Sequence, residues 1–138
     1  MFNIRVYALC IKNHAVLALA EEYAGTRLLK FPGGGLEYGE GTLECLRREL
    51  GEELNLTPEN FRHFYTQEDY VKSRFRENEQ LLTIYYLADI DDTDLILRDP
   101  CISEARWVPL HSTGNPFPLP VDSLVFEKLK SESSEGRI

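Results

Sequence analysis

Two segments of the chain are apolar on both of their alternating sides, and they constrain the fold more than any other part of the sequence. Residues 3–12 carry two such sets, with Ile4, Val6, Ala8 and Cys10 on one side and Tyr7, Leu9 and Ile11 on the other. Residues 81–90, LLTIYYLADI, have the same property. Successive side chains of a β-strand point to opposite faces, so a strand that is apolar on both faces is normally covered on both. The sequence therefore predicts an α/β fold in which a central sheet lies between helices.

The rest of the chain supplies the other elements of such a fold. A second apolar run at residues 15–22 follows Asn13 and His14, which predicts a hairpin. Further elements are expected as strands at residues 61–73, 80–90 and 105–110 and as a last helix near residues 121–131. At 138 residues the chain suits one domain. We place this domain at residues 1–131 and expect residues 132–138 to be a frayed tail.

The chain is acidic, with a formal net charge of -8 and a pI of about 4.9. This charge disfavours a long nucleic acid as a partner unless a basic patch offsets it, whereas a small anionic substrate that arrives with a divalent cation remains compatible. No apolar run approaches the roughly 20 residues of a membrane span, and the N-terminus lacks the pattern of a signal peptide. Three cysteines at unrelated spacings fit neither a disulfide framework nor a zinc site, so a reducing cytoplasm is the expected location.

Residues 42–54 have the periodicity of an amphipathic helix, with acidic residues in an unfavourable place. The apolar stripe falls within about 80° of arc and consists of Leu43, Leu46, Leu50 and Leu54. Thr42 is the expected N-cap. Near the C-terminus, Glu49, Glu52 and Glu53 crowd within about 100° of arc beside the stripe. Both their mutual repulsion and the helix dipole oppose this arrangement.

Two interpretations of these carboxylates stay open on the helix alone. A divalent cation would convert the repulsion into attraction, because Mg²⁺ and Mn²⁺ prefer oxygen ligands. Alternatively, the helix face is solvated, and Arg48 pairs with Glu44 and Glu52 at helical spacing. The glycines at residues 33–35, just before the helix, indicate either a simple tight turn or a close approach of the backbone to a ligand.

The combined spacing of the glycine turn and the helix is far more specific than either part. Gly34 is followed after five residues by Glu40, and after seven more by RELGEELNL at residues 48–56. This pattern resembles the Nudix box, G-x5-E-x7-R-E-U-x-E-E-x-G-U with U aliphatic, at eight of its nine specified positions. The exception is Asn55 in place of the last glycine, and asparagine tolerates the left-handed conformation expected after a helix end. The flanking FPGG and ARWVPL also look like this family, so the resemblance covers residues 3–130 and implies a Nudix-type α/β/α sandwich with a mixed central sheet.

The resemblance implies an enzyme that cleaves a diphosphate linkage by attack of water at phosphorus. The cofactor it implies is Mg²⁺ or Mn²⁺, held by Glu49, Glu52, Glu53 and the backbone carbonyl of Gly34. Glu49 is also a candidate general base. In the same comparison, Glu40 and Arg48 resemble a structural pair that braces the loop against the helix and so orients the carboxylates.

Further site residues are expected outside the box, where no motif fixes them. Family members often use one more acid as base or ligand, for which Glu104 is the first candidate and Glu79 the second. Tyr70, Arg74 and Arg76 are candidates for contacts with base or phosphate, since arginine matches phosphate geometry. A solvated, charged hairpin would explain these three residues equally well.

These features favour a divalent-metal-dependent pyrophosphohydrolase that acts on a small nucleoside diphosphate derivative. One alternative is a non-catalytic Nudix module that senses a nucleotide, although such modules typically have degenerate boxes. Another is a pyrophosphohydrolase that acts on the 5′ end of an RNA, which would need a basic channel. Homodimers are common in the family, and no membrane partner is expected.

Overall fold

The chain forms strands and two α-helices over residues 1–23 and 25–138, which the computed structural model describes, with the main chain alone at residue 23. The strands are β1 (Phe2–Leu9), β2 (Ile11–Lys12), β3 (Ala15–Tyr23), β4 (Thr26–Lys30), β5 (Gly33–Gly35), β6 (Glu59–Thr66), β7 (Val71–Lys72), β8 (Gln80–Asp89) and β9 (Ile102–Pro109). The helices are α1 (Thr42–Leu54) and α2 (Pro120–Ser134), and a 3₁₀ turn spans Asp92–Asp94. Neither helix of the described residues is long and apolar enough to cross a membrane.

The strands form two sheets. In the first, β1 and β8 are parallel neighbours, β5 pairs antiparallel with β1, and β6 and β7 pair antiparallel with β8. In the second, β3 pairs antiparallel with β2, β4 and β9. The predicted mixed sheet is therefore confirmed, and an antiparallel sheet accompanies it.

The first apolar run is divided between the two sheets at Cys10. The sequence predicts one strand over residues 3–12, but β1 ends and β2 begins on either side of Cys10. The main-chain carbonyl of Cys10 accepts a hydrogen bond from the N–H of Leu17 at 2.9 Å, so the chain has already joined β3 there. The predicted hairpin is confirmed, because Asn13 and His14 turn between β2 and β3 with φ of 51° and 59°.

Both faces of β1 are covered, as its two apolar sets predict. On one face, Tyr7 and Leu9 belong to a buried cluster that includes three residues of α2, namely Val125, Phe126 and Leu129. On the other face, Val6 and Ala8 belong to a second cluster that includes four residues of α1, namely Cys45, Leu46, Leu50 and Leu54. Each large apolar side chain buried in this way contributes about 1.5–3 kcal/mol of transfer free energy. The α/β/α arrangement is confirmed.

The strand predicted over residues 61–73 is split into β6 and β7 at Gln67. The side-chain amide of Gln67 donates a hydrogen bond to the carbonyl of Leu81 at 3.0 Å. Its Oε1 accepts one from the N–H of Thr83 at 3.1 Å. A side chain thus takes up main-chain groups of β8 that a continuous partner strand would otherwise use.

The C-terminal elements are longer than predicted. β9 begins at Ile102, and α2 continues to Ser134, so residues 132–134 of the predicted tail are helical. Beyond the helix, Nη1 of Arg137 lies 3.2 Å from Oε1 of Glu132, which holds the following residues against the last turn.

Helix α1 spans the predicted residues, but its N-cap is Gly41 and not Thr42. The N–H of Gly41 donates to Oε1 of Glu44 at 3.0 Å. The hydroxyl of Thr42 is hydrogen bonded to the hydroxyl of Tyr86 at 2.9 Å, which ties the first turn of α1 to β8. At the other end, Asn55 has φ of 58° and ψ of 35°, the left-handed conformation that the sequence predicts.

Candidate active site

The glycine turn lies so close to its neighbours that side chains there would collide. A Cβ added at Gly33 would lie 2.1 Å from the carbonyl oxygen of Val6, and Gly33 has φ of 150°. A Cβ added at Gly34 would lie 2.4 Å from Cδ of Glu49. The glycine run is therefore more than a simple tight turn, because it lets the backbone approach β1 and α1 closely; approach to a bound ligand stays a prediction. The group that approaches Gly34 is a carboxylate of the box.

Arg48 connects the glycine turn, the loop and the helix. Its Nε and Nη2 donate to the two carboxylate oxygens of Glu40, at 3.0 and 2.7 Å. Nη2 also donates to the carbonyl of Gly35 at 3.0 Å, and Nη1 donates to Oε1 of Glu49 at 2.9 Å. Hydrogen bonds from Arg48, and then from the N–H of Glu37, lower the pKa of Glu40 to about 2. The guanidinium thus holds Glu40 ionised and fixes the Glu49 carboxylate beside Gly34.

The three carboxylates of the helix differ in their surroundings. The side chain of Glu49 is only 16% exposed. Oε1 of Glu53 is buried and has no hydrogen-bond partner among the described residues. Burial, followed by the adjacent Glu49, raises the pKa of Glu53 to about 9. Glu52 is 62% exposed, and its Oε2 lies 3.5 Å from Nη1 of Arg48. The structure therefore brings Glu49 and Glu53 together and leaves Glu52 at the rim.

The chemistry of these groups fits a divalent cation. A buried carboxylate oxygen without a partner is unfavourable, and a hard cation is the kind of ligand that satisfies it. The Glu49 carboxylate, which lies against Gly34, supplies further oxygens next to it. Within the described part of the chain, no three His, Cys, Asp or Glu side chains already converge on one point. Glu52 would have to turn from Arg48 toward the other two carboxylates to complete the set.

Two cations, the buried Lys30 and the partly buried Arg5, lie near these carboxylates, and no motif of the sequence indicates them. Nζ of Lys30 lies 2.6 Å from Oε2 of Glu21, and both side chains are almost buried. Nε of Arg5 donates to the hydroxyl of Tyr7 at 2.7 Å. Burial alone lowers the pKa of Lys30, but Tyr7 and Glu21 raise it above its ordinary value, so Lys30 stays a cation. Its charge partly offsets the effects that raise the pKa of Glu53. The one hint in the sequence is that Glu21 and Lys30 interrupt apolar runs.

A cavity of about 360 Å³ opens next to this network. Its charged lining consists of four cations and two acids, namely Arg5, Lys30, Arg74, Arg76, Glu21 and Glu79. The lining of this cavity thus has more positive than negative side chains, although the chain has a net charge of -8. Such a lining is suited to bind an anion. Two of the three predicted substrate contacts, Arg74 and Arg76, line it. Tyr70 lines a neighbouring cleft instead.

Glu104, the first candidate for an additional acid, forms an ion pair on its own strand. It lies on β9 opposite Ala20 of β3, and paired residues share a face of the sheet. Ala20 belongs to the buried cluster on the α2 side of the sheet, so Glu104 lies on that side. Ile102 belongs to the cluster on the α1 side, because the pairing of β9 with β3 shifts by a register step between the two residues. The Glu104 side chain is 47% exposed and lies 3.3 Å from Nε of Arg106. The contact that the structure gives Glu104 is therefore this ion pair on the sheet, and its role as an additional acid stays a prediction.

Glu79, the second candidate, does reach the cavity. It is buried, with 7% relative exposure, and lines the cavity wall just before β8. Its Oε1 accepts a hydrogen bond from Nδ2 of Asn3 at 3.3 Å. Of the two acids considered outside the box, Glu79 is the one that lines this cavity.

The C-terminus of α1 receives its cation from a distant segment. The last turn of the helix contains no basic residue. Arg98 supplies one: its N–H donates to the carbonyl of Glu53 at 2.8 Å and its Nη1 to that of Gly51 at 3.3 Å. Asn55 completes the connection, because its Oδ1 accepts from Nη2 of Arg98 at 2.6 Å and its Nδ2 donates to the carbonyl of Asp94 at 2.9 Å. The departure of Asn55 from the box is thus a structural link that glycine could not make.

Substitutions of Asn55 should separate its backbone role from its side-chain role. Asn55→Gly keeps the left-handed backbone and loses the side-chain hydrogen bonds, so we expect the free energy of unfolding to fall by about 1 kcal/mol. Asn55→Ala also strains the backbone and should lower it by about 2 kcal/mol. Asn78→Gly is the matched control, because Asn78 has φ of 59° and its side chain makes no hydrogen bond to the described residues. Chemical denaturation measures all three, and equal values for Asn55→Gly and Asn78→Gly would contradict the link.

A site that gathers acidic oxygens next to cations is suited to bind a diphosphate and to direct water at it. That defines the class of the chain, a hydrolase of phosphoanhydride bonds. The chain belongs to the NUDIX domain family, whose profile matches residues 1–127. The family, the fold and the class of enzyme that the box predicts are confirmed.

Solved structures of the family have the same fold at low sequence identity. The MutT NUDIX hydrolase of Burkholderia pseudomallei superposes with a TM-score of 0.77 at 16% identity, over 92% of this chain and 97% of that one. The NUDIX domain of Shewanella oneidensis NrtR, complexed with ADP ribose, superposes with a TM-score of 0.67 at 19% identity, over 97% and 88% of the two chains.

One curated relative is similar in sequence over part of its length. It is a U8 snoRNA-decapping enzyme of Homalodisca vitripennis, 31% identical over 67 residues. The match covers 49% of this chain and 35% of the length of that relative.

Proposed function

We propose that the chain is a divalent-metal-dependent pyrophosphohydrolase that cleaves the diphosphate linkage of a small nucleoside diphosphate derivative. The observation that carries this proposal is the buried, unpartnered oxygen of Glu53 beside Glu49. Glu49 lies against Gly34, near a cavity whose charged lining is mainly cationic. Carboxylates attract a hard cation, and guanidinium and ammonium groups attract phosphate. The ADP ribose bound by the NrtR domain supports a ligand of this kind on this fold.

The proposed metal ligands are Glu49, Glu53, the carbonyl of Gly34 and an inward-turned Glu52. Mg²⁺ or Mn²⁺ bound there would supply charge neutralisation for the diphosphate and acidify water. Glu49 is the proposed general base, and Arg48 holds it in position at 2.9 Å. A water oxygen forms a bond to phosphorus as the anhydride bond breaks, the proton passes to the base, and a phosphate ester leaves.

The proposed role of the cavity cations is to bind the diphosphate and to stabilise the negative charge that develops on it in the transition state. Arg5 and Lys30 are held in fixed positions by Tyr7 and Glu21, so they need little reorganisation when the anion arrives. Arg74 and Arg76 line the same cavity and can reach the phosphates from the β7–β8 connection. Glu79 is the remaining acid whose place in the cavity supports a role as base, in competition with Glu49.

Hydrolysis in ¹⁸O-labelled water tests the proposal directly. A panel of nucleoside triphosphates, nucleoside diphosphate sugars and dinucleoside polyphosphates is incubated with MgCl₂ or MnCl₂, and the products are separated and weighed by mass spectrometry. We expect one ¹⁸O atom in a phosphate of the product, with no product when EDTA is present. Tight calorimetric binding of a nucleotide with no product after long incubation would favour a sensing module instead.

A pyrophosphohydrolase of RNA 5′ ends is a second candidate, and the similarity to the decapping enzyme favours it. The chemistry would be the same, with the cavity holding the terminal diphosphate. The net charge of -8 argues for the small substrate. Comparison of a free nucleotide with a capped and a triphosphorylated oligonucleotide distinguishes the two candidates by their kcat/KM values.

A cytoplasmic location is part of the same proposal. It is supported by three cysteines that are all free, two of them buried, which is typical of a reducing compartment.

A further inference from the structure

The hydroxyl of Tyr7 carries a proton that no group in the described part of the chain accepts. Tyr7 is only 5% exposed and lines the cation-rich cavity of about 360 Å³. Its oxygen accepts a hydrogen bond from Nε of Arg5 at 2.7 Å. A tyrosine hydroxyl both accepts and donates, so its proton remains for a second partner. A buried donor without an acceptor is unfavourable, and the cavity is the space from which an acceptor can reach this one.

Tyr7 is held in place by the sheet and by an aromatic neighbour. It pairs with Gly33 of β5 on one side and with Tyr85 of β8 on the other. Its ring stacks on that of Tyr85, with centroids 5.4 Å apart and planes at 28°. The hydroxyl of Tyr85 in turn donates to Oδ1 of Asp122 on α2 at 2.5 Å, which fixes the second ring. The position of the Tyr7 hydroxyl at the cavity is therefore set by the fold before any ligand arrives.

The charged side chains beside this hydroxyl also have protons to donate. Arg5 uses Nε for the hydroxyl, whereas its Nη1 and Nη2 have no acceptor among the residues that the structure describes. Lys30 is paired with Glu21 at 2.6 Å, which leaves further ammonium protons. The other acid of the lining, Glu79, already accepts from Nδ2 of Asn3 at 3.3 Å. The wall thus offers an excess of donors, and an oxyanion, which has only acceptor atoms, matches it better than a group that brings its own donors.

We infer that Tyr7 is a ligand-binding residue, whose hydroxyl donates a hydrogen bond to an oxygen of the anion bound in this cavity. The inference rests on the proposed function and adds a neutral donor to the cations assigned there. Because Arg5 donates to the hydroxyl oxygen, the proton of Tyr7 is directed elsewhere, and the charge of Arg5 strengthens its donation. The ligand class is a phosphate or diphosphate oxyanion, since its oxygens accept several charge-assisted hydrogen bonds at once.

Tyr7→Phe tests this hydrogen bond, because it removes the hydroxyl and keeps the ring. Isothermal calorimetry in metal-free buffer measures the affinity for inorganic pyrophosphate and for ADP. We expect the variant to bind both probes about tenfold more weakly, since a hydrogen bond to a charged group is lost. Tyr65→Phe is the matched control, because the Tyr65 ring packs against the same core cluster and lies outside the cavity lining. It should stay within about twofold of the parent, because no contact with the ligand changes.

Tyr7→Phe also removes the acceptor of Arg5, and a double-mutant cycle separates the two effects. The cycle compares Tyr7→Phe in the parent and in the Arg5→Met variant, which no longer needs that acceptor. If the hydroxyl donates to the ligand, its loss should still weaken pyrophosphate binding by about threefold or more in the Arg5→Met background. A residue that only positions Arg5 would show no effect in that background, and this result would overturn the inference.

Binding without metal needs no hydrolysis, so failure of the inference and failure of the proposed function are distinguishable. If Tyr7→Phe weakens both probes but the parent hydrolyses no compound of the nucleotide panel, the inference stands and the hydrolytic proposal fails. If the parent hydrolyses a member of the panel and Tyr7→Phe binds pyrophosphate as tightly as the parent, the inference fails and the proposed function stands. A loss with ADP alone would place the contact on the nucleoside and overturn the inference, as would a parent that binds neither probe.

Discussion

Replacing Glu53 with glutamine should reduce kcat by about a thousandfold and leave the fold intact. Charge stabilisation by a bound cation is worth several kcal/mol in the transition state, and each 1.4 kcal/mol is a factor of about ten in rate. Glu53 places an otherwise unsatisfied oxygen in a buried position beside Glu49. Glutamine keeps the shape of this side chain and removes its charge. Glu44→Gln is the matched control on the same helix, because the glutamine oxygen can still accept the hydrogen bond from Gly41.

The pKa of Glu53 gives the same variant a second measurement that does not need a substrate. Burial raises this pKa from 4.5 to about 9, so the folded chain disfavours the ionised form. Without metal, the parent should therefore lose stability as the pH rises between these two values, and Glu53→Gln should lose less. Mg²⁺ should raise the Tm of the parent and not that of the variant, because only the parent has the Glu53 carboxylate that binds the ion in the folded state. Unchanged turnover, or an equal rise of Tm in both, would refute the role of this carboxylate.

Local rules predict much of the scaffold from the sequence. The bounds of α1 follow from a leucine stripe and a left-handed residue after it, and the hairpin at Asn13 and His14 follows from its turn residues. The two apolar sets of residues 3–12 correctly predict a strand covered on both faces. Each of these features depends on residues that are neighbours in sequence, so spacing and residue type suffice.

The errors occur where a contact between distant segments decides the outcome. The break at Gln67 depends on hydrogen bonds to β8, and the division at Cys10 depends on the presence of a second sheet. The ranking of Glu104 above Glu79 could not take account of the register of β9 on β3, which decides the face of the sheet on which Glu104 lies. The spacing of residues along the sequence does not predict that register, because the paired strands are more than eighty residues apart in the chain.

The acidic end of α1 shows the same limit. In the sequence it opposes both the helix dipole and the mutual repulsion of its carboxylates. In the structure, Arg98 supplies the missing cation at the helix end, Arg48 pairs with Glu49, and Lys30 partly offsets the raised pKa of Glu53. The surroundings thus neutralise part of the charge and leave the buried oxygen of Glu53 for a ligand. The fold thus tolerates the carboxylates while at least one of their oxygens keeps no hydrogen-bond partner, and a cation-binding site needs such an oxygen.

The three consecutive glycines should respond to alanine in three different ways. At Gly33, the Cβ would meet the main chain of Val6 at 2.1 Å with φ of 150°, so Gly33→Ala should cost several kcal/mol of stability. At Gly34, the atoms within 2.6 Å are the flexible end of Glu49, which can move aside. At Gly35, the nearest atom is at 3.7 Å, an ordinary contact.

Gly34→Ala should therefore lower kcat/KM about a hundredfold while the free energy of unfolding stays within about 1 kcal/mol of the parent. The added methyl group displaces the Glu49 carboxylate by an ångström or more, and a shift of that size in a reacting group is worth about two orders of magnitude. The backbone accepts alanine, and the loss of a glycine restricts the unfolded chain by about 0.4–1 kcal/mol. Gly35→Ala is the matched control and should keep nearly full activity. The structural difference between the two variants is that only Gly34→Ala displaces the Glu49 carboxylate. If the two variants are equally active, the position of this carboxylate does not control the rate of the reaction.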